Sequence, residues 1–173
     1  MKSKVIHLYG LPCSGKSTIG KILSSRLNAV MLDGDEVRSE LNSDLDFSKE
    51  SRIENLRRLG ALSNLLTKQG FTVVICTVAP HSECRDIVEQ HVENYSSVLI
   101  NTPRDICIHR DTKGMYRKAM DGKIKNFTGI DGSFEIGTPH VTVELDTLEN
   151  QVQYILQKLN YPTKNGELKD DFS

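Results

Sequence analysis

The chain has 173 residues, 38% of them hydrophobic and 26% charged, which fits one domain with a single sizeable core. Its 22 Lys and Arg stand against 23 Asp and Glu, so a net charge of −1 excludes a global basic field for a nucleic-acid polymer or an anionic membrane. No apolar run reaches spanning length, and MKSKVIHLYG is too short in apolar residues for a signal peptide, so the expected address is the cytoplasm.

The first predicted strand is KVIHLY, residues 4–9, and GLPCSGKST follows it directly. Gly10-x-x-x-x-Gly15-Lys16-Ser17 is the full P-loop pattern. A helical face of Ile19, Ile22, Leu23 and Leu27 comes next, which is the context that pattern needs. Glycines let backbone N–H groups turn toward phosphate oxygens, and the helix N-terminus adds partial positive charge. Gly10, Cys13, Ser14, Gly15, Lys16, Ser17 and Thr18 are the expected nucleotide contacts. Lys16 would reach the β- and γ-phosphates, and the Ser17 hydroxyl would ligate Mg²⁺. Cys13 reads as a loop residue whose backbone matters more than its thiol.

The second strand, AVMLD at 29–33, runs into LDGDEVR and sets Asp33 and Asp35 at the carboxyl edge of the sheet. Of two carboxylates beside a triphosphate, one can hold Mg²⁺ and the other can take a proton from an attacking hydroxyl. Asp35 also reads as a helix N-cap, with Asp33-Gly34 as a turn. In DLDFSKESRIENLRRLGALSNLL, 44–66, the face Ile53, Leu56, Leu59, Leu62 and Leu66 predicts a helix closed by Gly70. Arg52 and Asn55 share one face of it, with Arg38 before them and Phe47 in the connection. That cluster suits an anionic, ring-bearing ligand, or else a solvated face with Phe47 as a core plug.

Strands TVVICTV (72–78), SVLINT (97–102) and VTVELD (141–146) follow, and Ile155, Leu156 and Leu159 mark a last helix. The alternation predicts an α/β fold: a central parallel five-stranded sheet with helices on both faces, one domain over 1–162 and a polar tail over 163–173. Among the four cysteines, Cys76 and Cys107 read as core and Cys84 as helix surface. Residues 111–140 are Gly- and Lys-rich with no clear apolar face, and read as a lid. In the lid, Lys123 and Lys125 precede Asn126-Phe127, an aromatic placed to stack on a base. No N-K-x-D supplies guanine recognition, so a small P-loop kinase is favoured over a signalling GTPase.

Five segments taken together, GLPCSGKST, LDGDEVR, DFSKESRIENLRR, TPRDICIHRDTKGMYRKAMDG and KIKNFTGID, resemble the adenylylsulfate (APS) kinase family to about residue 160. The resemblance implies a homodimeric P-loop kinase that uses MgATP to phosphorylate the ribose 3′-hydroxyl of adenosine 5′-phosphosulfate, giving PAPS for sulfate activation. It implies ATP and Mg²⁺ at Lys16 and Ser17, and Asp33 or Asp35 near the acceptor hydroxyl, Asp33 being favoured as base or Mg²⁺ organiser. Arg38, Arg52 and Asn55 would hold the acceptor's 5′ anionic group. Phe47 and Phe127 would sandwich the base, with Asn126 beside them. Lys125 would cover the acceptor, and Arg110 and Lys113 would belong to the lid over ATP. The pattern departs after the third strand, where the usual Ser, aromatic and Arg are Ala79, His81 and Ser82, and before Phe47, where the usual Gly is Asp46. APS-kinase-like proteins acting on other nucleotides give an alternative acceptor, cytidine 5′-diphosphoramidate, phosphorylated at its 3′-hydroxyl for capsular polysaccharide modification. A nucleotide-binding regulator without turnover is a third reading. A kinase for sugar acids or shikimate is a fourth, but those lack the Asn126-Phe127-Thr128-Gly129 loop.

Overall fold

The computed structural model describes residues 4–162, and the polar tail expected over 163–173 lies outside the described residues. Five strands form one parallel sheet: β1 (Val5–Tyr9), β2 (Val30–Asp33), β3 (Val73–Thr77), β4 (Tyr95–Asn101) and β5 (Val141–Glu144). Their order is β2-β3-β1-β4-β5. All neighbours run parallel, so every strand ends at the same edge. The inner strands are apolar at nearly every position because both faces are covered. β5, at the edge, alternates buried Val141 and Val143 with exposed Thr142 and Glu144.

One face packs α1 (Lys16–Leu27) and α7 (Leu148–Lys158) on Ile6, Leu8, Val74 and Ile100. The other face packs α3 (Lys49–Lys68) and α4 (Ser82–Glu89) on Val5, Tyr9, Val73 and Ile75. Short helices α2 (Gly34–Glu40), α5 (Arg104–Arg110) and α6 (Met115–Met120) lie beyond the carboxyl ends of strands. α3 ends as the sequence predicts, with Gly70 in the left-handed region and its N–H donating to Thr67 O. No helix among the described residues is long and apolar enough to cross a membrane.

Two expectations need correction. Cys84 is fully buried, not on a helix surface, because α4 turns Cys84 and Val88 toward α3 and the sheet. The 111–140 segment is not without a core: Tyr116, Ala119 and Phe127 bury against Cys107, with Leu11 and Cys13 of the P-loop packed on them. Tyr116 and Ala119 stand three apart on a helix of only six residues, too short for a periodicity to show in the sequence.

His7 is a buried polar residue in the middle of the sheet. Its ring bridges Tyr95 OH at 2.8 Å and Thr77 Oγ1 at 2.7 Å. Burial first, and the Arg85 charge second, push its pKa down to about 3, so it is a neutral core residue.

Candidate active site

β1 delivers the P-loop at the carboxyl edge of the sheet. Gly15 (φ 103°) supplies the left-handed turn that starts α1 there. Gly10 sits so close to β4 that a Cβ would lie 2.7 Å from Ile100 O. Lys16 is 8% exposed. Its ammonium folds over its own loop, donating to Gly10 O at 3.0 Å, Leu11 O at 2.6 Å and Ser14 Oγ at 3.2 Å. Burial pulls its pKa down to about 8. The loop is also braced from outside. Thr102 Oγ1 donates to Ser14 O at 2.7 Å, Tyr116 OH to Pro12 O at 2.9 Å, and Arg110 Nη1 to Cys13 O at 3.2 Å. Thr102 and Tyr116 escaped the sequence reading, since a single Thr or Tyr in a loop carries no spacing signal.

The Asp pair divides its work differently from the sequence expectation. α2 begins at Gly34, so its N-cap is Asp33, not Asp35: Asp33 Oδ1 accepts from Asp35 N at 3.0 Å. Asp33 Oδ2 accepts from the Ser17 hydroxyl at 2.5 Å. Two hard oxygens thus meet beside the P-loop, although among the described residues no group of three possible metal ligands forms. Asp35 is left exposed and pairs with Lys113 at 2.7 Å. That pairing places Lys113 against α2 and Arg110 on the P-loop.

A second site is a cavity of about 390 Å³ lined by Phe47, Arg52, Pro80, His81, Asn126 and Thr128 among others. Phe47 is 60% exposed, so it is not a core plug. The Arg38 and Arg52 guanidinium carbons lie 4.7 and 5.6 Å from its ring centre. Arg38 donates to Leu45 O and Asp46 O at 3.2 and 2.7 Å. Arg52 donates to Phe47 O at 3.0 Å and reaches Asn126 O at 3.5 Å. Among the described residues neither arginine makes an ion pair.

Several expected acceptor contacts are placed elsewhere. Asn55 is 3% exposed and its Oδ1 accepts from Asn42 Nδ2 at 2.8 Å, so it fastens the 41–46 connection. Phe127 is 9% exposed and packs edge-on against Tyr116 at 5.0 Å between ring centres. Its ring is spent on the lid core, and Asn126 and Thr128 on either side line the cavity instead. Asp131 accepts from the N–H groups of Asn126 and Phe127 at 2.9 and 2.8 Å, which sets that turn. Lys125 is exposed and does not line the cavity. Asp46, in place of the usual Gly, turns inward on its own loop and accepts from Ser48 N and Oγ. Arg85, which keeps the family pattern after the third strand, is 6% exposed, lies over the Tyr9 ring at 4.5 Å and donates to Ala79 O at 2.7 Å. It holds Ala79 in the left-handed region (φ 41°), just before Pro80 of the cavity wall.

Removal of the Phe127 ring tests the lid core. Phe127→Ala should cost about 3 kcal/mol of local closure. Limited proteolysis should then cut within 111–140 several-fold faster than in the parent; an unchanged cleavage rate would show that Phe127 does not hold this segment.

A family model described as adenylylsulphate kinase matches residues 2–144. An adenylyl-sulfate kinase of Microcystis aeruginosa is 43% identical over 162 residues, covering 89% of this chain and 90% of the relative. A probable adenylyl-sulfate kinase of Bacillus subtilis is 38% identical, covering 92% of this chain and 88% of the relative. The structure of the Mycobacterium tuberculosis APS kinase CysC in complex with AMPPNP and APS is 34% identical and superposes with a TM-score of 0.88 over 92% of this chain and 98% of that one. A gluconokinase from Sinorhizobium meliloti, at 16% identity and a TM-score of 0.62, shares the fold. With the P-loop, the Asp pair and the cavity lined by Phe47 and Arg52 in place, and these relatives matching along nearly the whole length, the chain belongs to the adenylylsulphate kinase family.

Proposed function

We propose that the protein transfers the γ-phosphoryl group of ATP to the 3′-hydroxyl of adenosine 5′-phosphosulfate. The observation that carries this reading is a pair of arginines that make no ion pair among the described residues. Arg38 and Arg52 both lie by the ring of exposed Phe47, and Phe47 and Arg52 line the cavity. Half-buried guanidiniums bonded only to neutral carbonyls among the described residues, beside an aromatic face, suit a ligand with an anionic group next to a planar base. A sugar or shikimate acceptor would leave Phe47 without a partner.

In this reading ATP lies on the P-loop, and its phosphates take over the Lys16 ammonium from Gly10 O, Leu11 O and Ser14 Oγ. Lys16 then stabilises charge on the transferring group. Ser17 and Asp33 fit Mg²⁺, since that ion prefers hard oxygens and keeps most of its waters. Bound there, Mg²⁺ would neutralise charge on the β- and γ-phosphates. Both Asp33 oxygens are engaged, so Asp35 takes the proton of the acceptor hydroxyl, and its exposed pair with Lys113 exchanges as the acceptor enters. Asn126 approaches the acceptor from the lid, and Gly15 and Thr18 complete the ATP cradle. The protein acts as a dimer in the cytoplasm.

A coupled ADP-release assay tests the reaction. MgATP with adenosine 5′-phosphosulfate should give turnover in the range of about 1–100 s⁻¹ usual for kinases. Plain adenosine 5′-phosphate should give far less. No turnover on the phosphosulfate would sink the proposal, and turnover only on a cytidine 5′-diphosphoramidate control would transfer it to that acceptor.

A further inference from the structure

The 79–82 stretch departs from the family pattern, and the structure gives His81 a definite chemical setting there. Residues 134–137 leave the lid and lie against this stretch. Glu135 N donates to Pro80 O at 2.8 Å, and Tyr9 OH donates to Ile136 O at 2.6 Å. The Glu135 carboxylate accepts from Ser82 N at 2.8 Å and meets His81 Nδ1 at 3.3 Å. These bonds hold the Glu135 carboxyl well below the usual range, at about 2, so at neutral pH it only accepts. In the neutral ring the proton therefore sits on Nδ1 and Nε2 carries the lone pair. Among the described residues no hydrogen bond to Nε2 forms, and His81 lines the same cavity as Phe47 and Arg52.

We propose that His81, oriented by Glu135, is a specificity-determining residue that offers the acceptor base a hydrogen-bond acceptor and so selects an exocyclic amino group over an oxo group. This rests on the acceptor reading of the cavity given above. A nucleobase stacked on Phe47 presents its edge to the wall that His81 and Pro80 build. A 6-amino purine donates to Nε2. A 6-oxo purine sets a lone pair against a lone pair, and neither acceptor has a donor there.

The experiment compares adenosine and inosine 5′-phosphosulfate as acceptors with saturating ATP, at about pH 8, above the ordinary histidine range. The parent should favour the amino compound by roughly tenfold or more in kcat/KM. His81→Phe keeps a flat ring without the lone pair, and should bring the ratio down about tenfold, chiefly through the KM of the amino compound, with the ATP KM unmoved. Glu135→Ala frees the ring to present either nitrogen and should lower the ratio in the same direction. The His81→Phe, Glu135→Ala double variant should lower it no further than His81→Phe alone. Equal treatment of both acceptors by the parent would overturn the inference, and so would an unchanged ratio in both single variants. Because the ratio is read only where the amino compound turns over, failure of the phosphosulfate reaction itself is a separate result that removes the functional reading first. If His81→Phe fails to fold, the Glu135→Ala ratio decides alone.

Discussion

Lys16→Ala will abolish useful turnover with every acceptor, with kcat down by roughly 10²–10³-fold or more, the loss seen when one preorganised charge donor is removed from a reacting centre. The effect is large because the ammonium is placed before ATP arrives. It already lies inside the loop on three oxygens, so little reorganisation is needed when phosphate replaces them. The same burial that places it also holds its pKa near 8, below the usual lysine value of 10.5. Two signs follow. In the free protein the folded state gives up this proton earlier than the unfolded chain, so this residue's contribution to stability rises between about pH 8 and 10.5. A bound triphosphate favours the charged form, so ATP affinity should fall as pH climbs through about 8. Titration calorimetry in buffers of different ionisation enthalpy should show proton uptake on ATP binding at pH 8.5 or so, absent in Lys16→Ala. Near-normal rates in Lys16→Ala would refute the P-loop assignment. Normal rates with no proton uptake in the parent would leave Lys16 charged throughout and refute the depressed pKa alone.

The sheet was legible because its strands are continuous apolar runs, which a parallel sheet covered on both faces requires. The P-loop was legible because its glycines fix spacing through backbone geometry. The surroundings of the cavity lined by Phe47 and Arg52 were less so, for physical reasons that differ from residue to residue. Phe127, just after Lys123 and Lys125, reads the same whether its ring stacks on a ligand or plugs a small core, and only the position of Tyr116, eleven residues earlier in the chain, decides. Asn55 has the helix spacing to join Arg52 at a ligand, but Asn42 claims its side chain from a turn that carries no periodicity. Asp33 and Asp35 are two residues apart, so either could cap α2. The choice rests on whether the helix starts at Gly34 or at Glu36, a difference of two residues. The 79–82 departures read as losses in sequence. In the structure their places are taken by contacts that no local pattern announces: Ala79 held by Arg85, and His81 and Ser82 held by Glu135 from the far side of the lid.

Arg52→Ala should raise the acceptor KM roughly 10- to 100-fold, the worth of hydrogen bonds to a charged group, and should leave the ATP KM within about twofold. The asymmetry follows from placement. Arg52 stands on α3 across the cavity from His81, and its bonds in the structure go to Phe47 O and Asn126 O, not to the P-loop. On the proposed reading it does two things for the acceptor, carrying charge and tying the lid turn to the start of α3. Arg52→Lys separates them. A lysine keeps the charge but loses the planar fork that reaches two carbonyls and a ligand oxygen together, so it should recover only part of the lost KM. Full recovery would reduce Arg52 to a point charge. A rise in the ATP KM equal to that of the acceptor would place Arg52 on the donor side and would take the anionic end of the acceptor away from this cavity. Arg38, which lies closer to the Phe47 ring and leans on Asp46 O, should show the same split with a smaller loss, because Arg52 remains to meet the anion.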